Sequence, residues 1–98
     1  MLQKTTVLEK ELVVPNRSGI HARVSTMIAL RCRDFASEVR LRNGTAVADC
    51  RSVLDLLSLG ASNGTVLRLE ASGEDASEAM NAIVALFERR FDEDEESL

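Results

Sequence analysis

The sequence predicts an α+β domain in which one antiparallel sheet of four strands carries helices on one face. Three observations point there. The hydrophobic periodicity switches along the chain in the order β-α-β-β-α-β-α. Two segments, 22–35 and 75–91, repeat apolar residues at helical spacing. Between them, Asn43-Gly44 separates two alternating runs, and both residues tolerate the positive φ of a type I′ hairpin turn.

Leu8 to Val14 is a short, β-favouring apolar run that Pro15 stops, which predicts the first strand. The loop 15–19 then delivers the chain to Ile20 and His21. From Ala22 to Phe35 the residues Val24, Met27, Ile28, Cys32 and Phe35 form a helical stripe, with Arg23, Arg31 and Arg33 off it. Glu38 to Arg42 alternates Val39 and Leu41 with charged residues, and Thr45 to Asp49 is the return strand of the hairpin. Ser52 to Leu59 is a short, very apolar helix that Ser52 starts, with Asp55 placed as in a capping box and Gly60 where the helix would stop. Asn63-Gly64 turns the chain into the strand from Thr65 to Ala71, which Gly73 breaks. Asp75 is expected to cap the last helix, with Glu78 at its third position and a buried stripe through Ala76, Ala79, Met80, Ile83, Val84, Phe87 and Phe91. Residues 1–6 read as a loose leader and 92–98 as a solvated acidic tail, so residues 1–98 are expected to form one domain.

Composition narrows the function. At 98 residues and 45% apolar, the chain can bury a core without metals or disulfides. A net charge of −4 argues against nucleic-acid binding, which needs an excess of phosphate-neutralising cations. The charge is uneven, however. Residues 17–51 hold Arg17, Arg23, Arg31, Arg33, Arg40, Arg42 and Arg51 against only Asp34, Glu38 and Asp49. A basic middle suits a phosphorylated site or an acidic partner, although a solvated surface would look the same. Cys32 and Cys50 lack metal-ligand spacing and are expected to be buried thiols, so no metal site is expected. No apolar run approaches the ~20 residues that span a bilayer, and the start of the chain lacks the features of a signal peptide. These features predict a cytoplasmic protein.

His21 is the only histidine, and it stands directly before a predicted helix. The first turn of a helix leaves backbone N–H groups without partners, and its dipole favours negative charge. A phosphoryl group on the imidazole could therefore accept hydrogen bonds from those groups. Arg23 would add a cationic fork in the same turn, and Gly19 would let the backbone take an unusual angle and approach closely. A neutral imidazole is a usable nucleophile, so no separate base is required. A lone histidine at a helix start can equally be a cap or a surface residue, and the residues by themselves leave both readings open. The sequence contains no Ser/His/Asp arrangement and neither glycine-rich nucleotide pattern.

The segment SGIHAR (18–23), followed by RSVLDLLSLGASNGT (51–65) and EASGEDASEAMNAI (70–83), resembles the HPr family, the histidine phosphocarriers of the bacterial phosphoenolpyruvate:sugar phosphotransferase system. The resemblance runs in register from about Lys10 to Leu86 and implies an open-faced β-sandwich. It implies that His21 is the phosphorylated histidine, modified on Nδ1, and that Arg23 stabilises the phosphate. It further implies that Ser52 is the serine phosphorylated by a dedicated ATP-dependent kinase, and that Val53, Leu54 and Leu57 dock partner proteins. Gly60 and Gly73 match the family's glycines. One position departs from the pattern. Val24 follows the arginine where the family commonly has Pro, which restores an N–H to the first helical turn and removes some rigidity.

The expected function is therefore a covalent carrier, not an enzyme, that takes phosphate from enzyme I and gives it to an enzyme IIA. Ser52 would act as a switch set by an HPr kinase/phosphorylase. The expected form is a monomer with no cofactor, making transient contacts through a small apolar patch ringed by Arg23, Arg51 and Arg17. The alternative is a purely regulatory module whose phosphorylation state controls a kinase, permease or transcription factor. A third reading is an interaction domain without phosphorylation. Ser52 itself admits two compatible roles, a helix cap and a regulatory site. A phosphate there would place charge beside Val53, Leu54 and Leu57 and block docking by desolvation more than by reshaping the fold.

Overall fold

The computed structural model describes residues 6–93. Residues 1–5 of the expected leader and 94–98 of the expected tail lie outside that range. The element order is β1 (Val7–Val13), α1 (Ala22–Cys32), β2 (Glu38–Asn43), β3 (Ala46–Asp49), α2 (Val53–Ser58), β4 (Val66–Ser72) and α3 (Ala76–Glu88). The four strands form one sheet in the order β1-β4-β2-β3, with all neighbours antiparallel.

Alternation along the strands decides which face is covered. Leu12, Leu67, Leu69, Ala71, Val39, Leu41 and Ala48 point into the core with Val24, Ile28, Leu56, Ile83 and Phe87 from the helices. The opposite face is open and charged. There Glu70, only 6% exposed, lies between the guanidinium groups of Arg42 at 2.8 Å and Arg40 at 3.5 Å. Arg40 also pairs with Glu38, and Arg31 with Asp34, while Glu70, from outside residues 17–51, offsets part of the basic surplus read there. Cys32 and Cys50 are both free and buried. A hydrogen bond to Cys32, together with burial, pushes the Cys50 thiol pKa up, so it stays protonated.

Four local expectations need correction. The hairpin turn is Gly44-Thr45 and not Asn43-Gly44, because Asn43 pairs with Ala46 inside the ladder and its amide donates to the Leu59 carbonyl at 2.9 Å. Positive φ occurs at Gly44 (+60°) and not at Thr45, which is the II′ pattern and not I′. Helix α1 ends at Cys32, three residues short of Phe35, where bonds to the third residue back tighten its last turn. Helix α3 ends at Glu88, and Phe91 belongs to a separate turn, Arg90–Asp92.

The fourth correction is Asp75, which stands before α3 but makes no side-chain cap bond. Its carboxylate instead accepts from the backbone N–H groups of Ala36 and Ser37, each at 2.9 Å, and from the Ser37 hydroxyl. That clamp ties the α1–β2 loop to the start of α3. The Ser37 hydroxyl first, and then the Ala36 N–H, hold the Asp75 carboxyl below its ordinary value of 3.8. A depressed carboxylate contributes stability that is present above the ordinary value and is lost as pH falls through the folded one. Asp75→Asn is therefore expected to lower Tm at pH 7. The gap to wild type should close as pH drops below 3.8. Thermal melts of both proteins across that range check the sign.

Candidate functional site

The loop 14–21 is fastened at several points before it delivers His21. Asn16 is fully buried, its amide donates to the Gly19 carbonyl at 2.8 Å, and its own carbonyl accepts from the Asn63 amide at 3.1 Å. Gly19 has φ +72°, and a Cβ there would lie 2.6 Å from the Ala61 carbonyl oxygen and 2.9 Å from the Ser62 Cα. Both properties expected of Gly19 are thus present. The Ile20 N–H then bonds that same Ala61 carbonyl at 3.0 Å.

His21 is the N-cap of α1, with extended backbone (φ −100°, ψ −172°). Its carbonyl accepts from Ser25 at 2.8 Å, and its Nδ1 accepts from the Arg23 N–H at 3.3 Å. The imidazole thus takes the place that a Ser or Asp oxygen holds in an ordinary cap. The N–H groups of Ala22 and Val24 make no protein hydrogen bond among the described residues, which leaves donors at the helix start next to Nδ1. The Val24 side chain is fully buried, so the position serves the core as well.

Arg23 does not point at the ring. Its Nη1 donates to the Phe91 carbonyl at 2.9 Å and contacts the Met27 sulfur at 3.1 Å. An anion on His21 would have to draw the guanidinium away from that carbonyl, or use its other nitrogens.

The remaining side of the site comes from the expected tail, where the sequence reading failed. Arg90, Phe91 and Asp92 have φ of 56°, 54° and 58°, a left-handed turn of three non-glycine residues. That conformation costs about 1–2 kcal/mol per residue, so something must hold it. Phe91 is fully buried and packs edge-on against Phe87 with ring centroids 4.8 Å apart. Asp92 pairs with Arg89 at 3.2 Å. Glu93 follows, and one carboxylate oxygen accepts from the Ser18 N–H at 3.4 Å while the other lies 3.5 Å from His21 Nε2. Hydrogen bonds from the Asn16 amide first, and then from Ser18, hold the Glu93 carboxyl below its ordinary value. Glu93 is therefore a folded part of the site and not solvated tail, whereas Asp92 stays exposed beside Arg89. An acidic run offers no signal for this, but the apolar Phe91 just before it does.

Ser52, Val53, Leu54 and Leu57 form a second group on α2, which packs against α1. Ser52 is the N-cap, and its hydroxyl accepts from the Asp55 N–H at 3.1 Å. The capping box is only half formed, because the Asp55 carboxylate takes the Asp49 N–H at 3.1 Å. Leu56 and Leu59 are buried, whereas Leu54 is 76% exposed, Leu57 is 40% exposed and Val53 is half-buried. The four large apolar residues of this short helix cannot all face the core, and these are the ones left outside. Arg51 donates to the Phe35 carbonyl. Among the described residues, no group of three or more His, Cys, Asp or Glu side chains could hold a metal ion. No described helix is long and apolar enough to cross a membrane.

An open-faced sandwich with a histidine capping its first helix, and an apolar helix exposed beside that one, defines a small carrier-type domain. The chain belongs to the HPr family: residues 8–89 match the family described as the PTS HPr component phosphorylation site. It is 39% identical over 88 residues to phosphocarrier protein HPr of Xylella fastidiosa, covering 90% of this chain and 99% of that one. It is 38% identical over 88 residues to phosphocarrier protein NPr of Shewanella violacea, covering 90% and 97%. Among solved structures, HPr-C-His from Thermoanaerobacter tengcongensis superposes with a TM-score of 0.84 at 31% identity, covering 89% of this chain and 98% of that one. The predicted order of elements and the four-stranded antiparallel sheet are those of this fold.

Proposed function

We propose that this chain accepts a phosphoryl group on Nδ1 of His21 from a phosphoenolpyruvate-charged enzyme I and donates it to a histidine of an enzyme IIA in sugar uptake. The protein is regenerated in each cycle, so it acts as a covalent intermediate and not as an enzyme. It would work in the cytoplasm. The observation that carries this reading is the His21 cap. It holds a nucleophilic ring nitrogen among backbone N–H groups at the positive end of a helix, where a phosphoryl group would be stabilised. Arg23 is close enough in sequence and space to reach the phosphate with the guanidinium nitrogens not bonded to Phe91. Incubation with active enzyme I and labelled phosphoenolpyruvate is expected to give acid-labile, base-stable label that passes on to an enzyme IIA. Wild-type protein that stays unlabelled beside an active enzyme I contradicts the proposal.

Ser52 belongs to the same proposal as the site of regulatory phosphorylation by an ATP-dependent kinase. Its position supports this, because a phosphate at the start of α2 meets a favourable dipole but stands beside the exposed Leu54 and Leu57. Ser52→Ala is expected to cost about 1 kcal/mol of stability through loss of the cap, leaving labelling at His21 intact. Ser52→Asp is expected to keep the cap and weaken transfer from enzyme I, read as a raised KM for the carrier. A phosphate introduced by the kinase on Ser52→Ala protein would refute the assignment.

A further inference from the structure

A neutral imidazole carries its proton on one nitrogen and a lone pair on the other, and hydrogen bonds select which. At His21 the selection has two parts. Nδ1 accepts the Arg23 N–H, so it must be the bare nitrogen in the neutral ring. The proton is then on Nε2, an atom sealed from solvent that has no hydrogen-bond partner within ordinary reach. The one carboxylate that faces it, among the described residues, is Glu93, at 3.5 Å. Glu93 is not there by chance of a loose end. Its other oxygen accepts the Ser18 N–H, and the left-handed turn that delivers it is anchored by the buried Phe91 and by the bond from Arg23 to the Phe91 carbonyl.

We infer that Glu93 is a positioning residue for phosphoryl transfer: it holds the proton of His21 on Nε2 and pairs with the cationic ring that forms when Nδ1 is phosphorylated. The inference rests on the reading of His21 as phosphoryl acceptor. In the step itself, the Nδ1 lone pair forms a bond to phosphorus while the bond from phosphorus to the donor breaks and its electron pair leaves with the donor. No proton need leave the ring. The phosphorylated imidazole keeps its Nε2–H and gains a positive charge, which faces the Glu93 carboxylate 3.5 Å from Nε2. A ring that keeps its Nε2–H is the better leaving group when phosphate moves on.

The test has two readouts on the full chain. The first is the tautomer of neutral His21, from nitrogen-15 spectra of wild type, Glu93→Gln and Glu93→Ala, with backbone amide spectra confirming an intact fold. The second is the rate of phosphorylation by phosphoramidate, a small donor that needs no partner protein. Wild type is expected to show the Nε2–H tautomer alone. Glu93→Ala should admit the Nδ1–H form and slow phosphorylation on the order of 10-fold, the low end of what loss of a hydrogen-bonding partner costs a metal-bound histidine. Glu93→Gln, which can still accept the proton's hydrogen bond but has no charge, should restore the tautomer and recover only part of the rate. An unchanged tautomer in Glu93→Ala overturns the inference, as does a rate loss that Glu93→Gln does not relieve at all. The tautomer readout needs neither phosphate nor a partner, so it can fail while the carrier reading stands. Conversely, an enzyme I that never labels wild type defeats the carrier reading whatever the tautomer.

Discussion

Replacing His21 by alanine is expected to reduce phosphoryl acceptance from enzyme I to background, a loss on the order of 10³-fold or more, as follows when a nucleophile itself is removed. No other described side chain is placed to substitute. Cys32 and Cys50 are buried, and the Ser52 hydroxyl is engaged as a cap. The fold should survive, because the imidazole contributes one cap bond at 3.3 Å to α1 and little to the core. Loss of that cap costs about 1 kcal/mol. Label measured alongside a thermal melt separates the two effects: acceptance should vanish while Tm falls by only a few degrees. Residual label at wild-type level on His21→Ala would mean that another residue is the acceptor.

Gly19→Ala is expected to have the opposite profile, with a large loss of stability. The residue has φ +72°, which costs a side chain about 1–2 kcal/mol, and its new Cβ would sit 2.6 Å from a backbone oxygen. That oxygen cannot swing away freely, because it already accepts the Ile20 N–H. Relief requires the two loops to separate, which loses at least that bond, about another 1 kcal/mol. A total near 3 kcal/mol corresponds to a fall of roughly 10–20 °C in Tm for a domain of this size. Gly44 provides the control. It has φ +60° but open space around it, so Gly44→Ala should show the φ cost alone, about 1–2 kcal/mol. Equal losses at the two positions would refute the close-approach argument. Because the moved loop also carries His21, Gly19→Ala should slow phosphorylation as well.

Most of the fold was legible because each element carries its own periodic signal. The stripe of Val24, Ile28 and Cys32, the alternation of Val39 and Leu41, and the run of Leu67 and Leu69 each name their element and buried face. Ends were less legible, since they depend on long-range bonds. Asp75 has the sequence position of a cap, but its carboxylate is claimed by Ala36 and Ser37, 39 and 38 residues away in the chain. Asn43 looks like a turn residue, but a bond to Leu59 keeps it in the strand. The site divides in the same way. His21, Gly19 and Ser52 could be placed from local signals at helix starts. The resting place of the Arg23 guanidinium, on the Phe91 carbonyl 68 residues away, carries no local signal. Glu93 was hidden within an acidic run, because nothing local in such a run tells a solvated carboxylate from one held against a histidine.

The proposed seat of the phosphate, Nδ1 of His21, is read out by correlation of phosphorus-31 with nitrogen-15 in the enzyme I-phosphorylated protein. Phosphorus is expected to couple to Nδ1, with a proton retained on Nε2 and loss of the bond from the Arg23 N–H to the ring. Phosphorus coupled to Nε2, or residing on any residue other than His21, would contradict it.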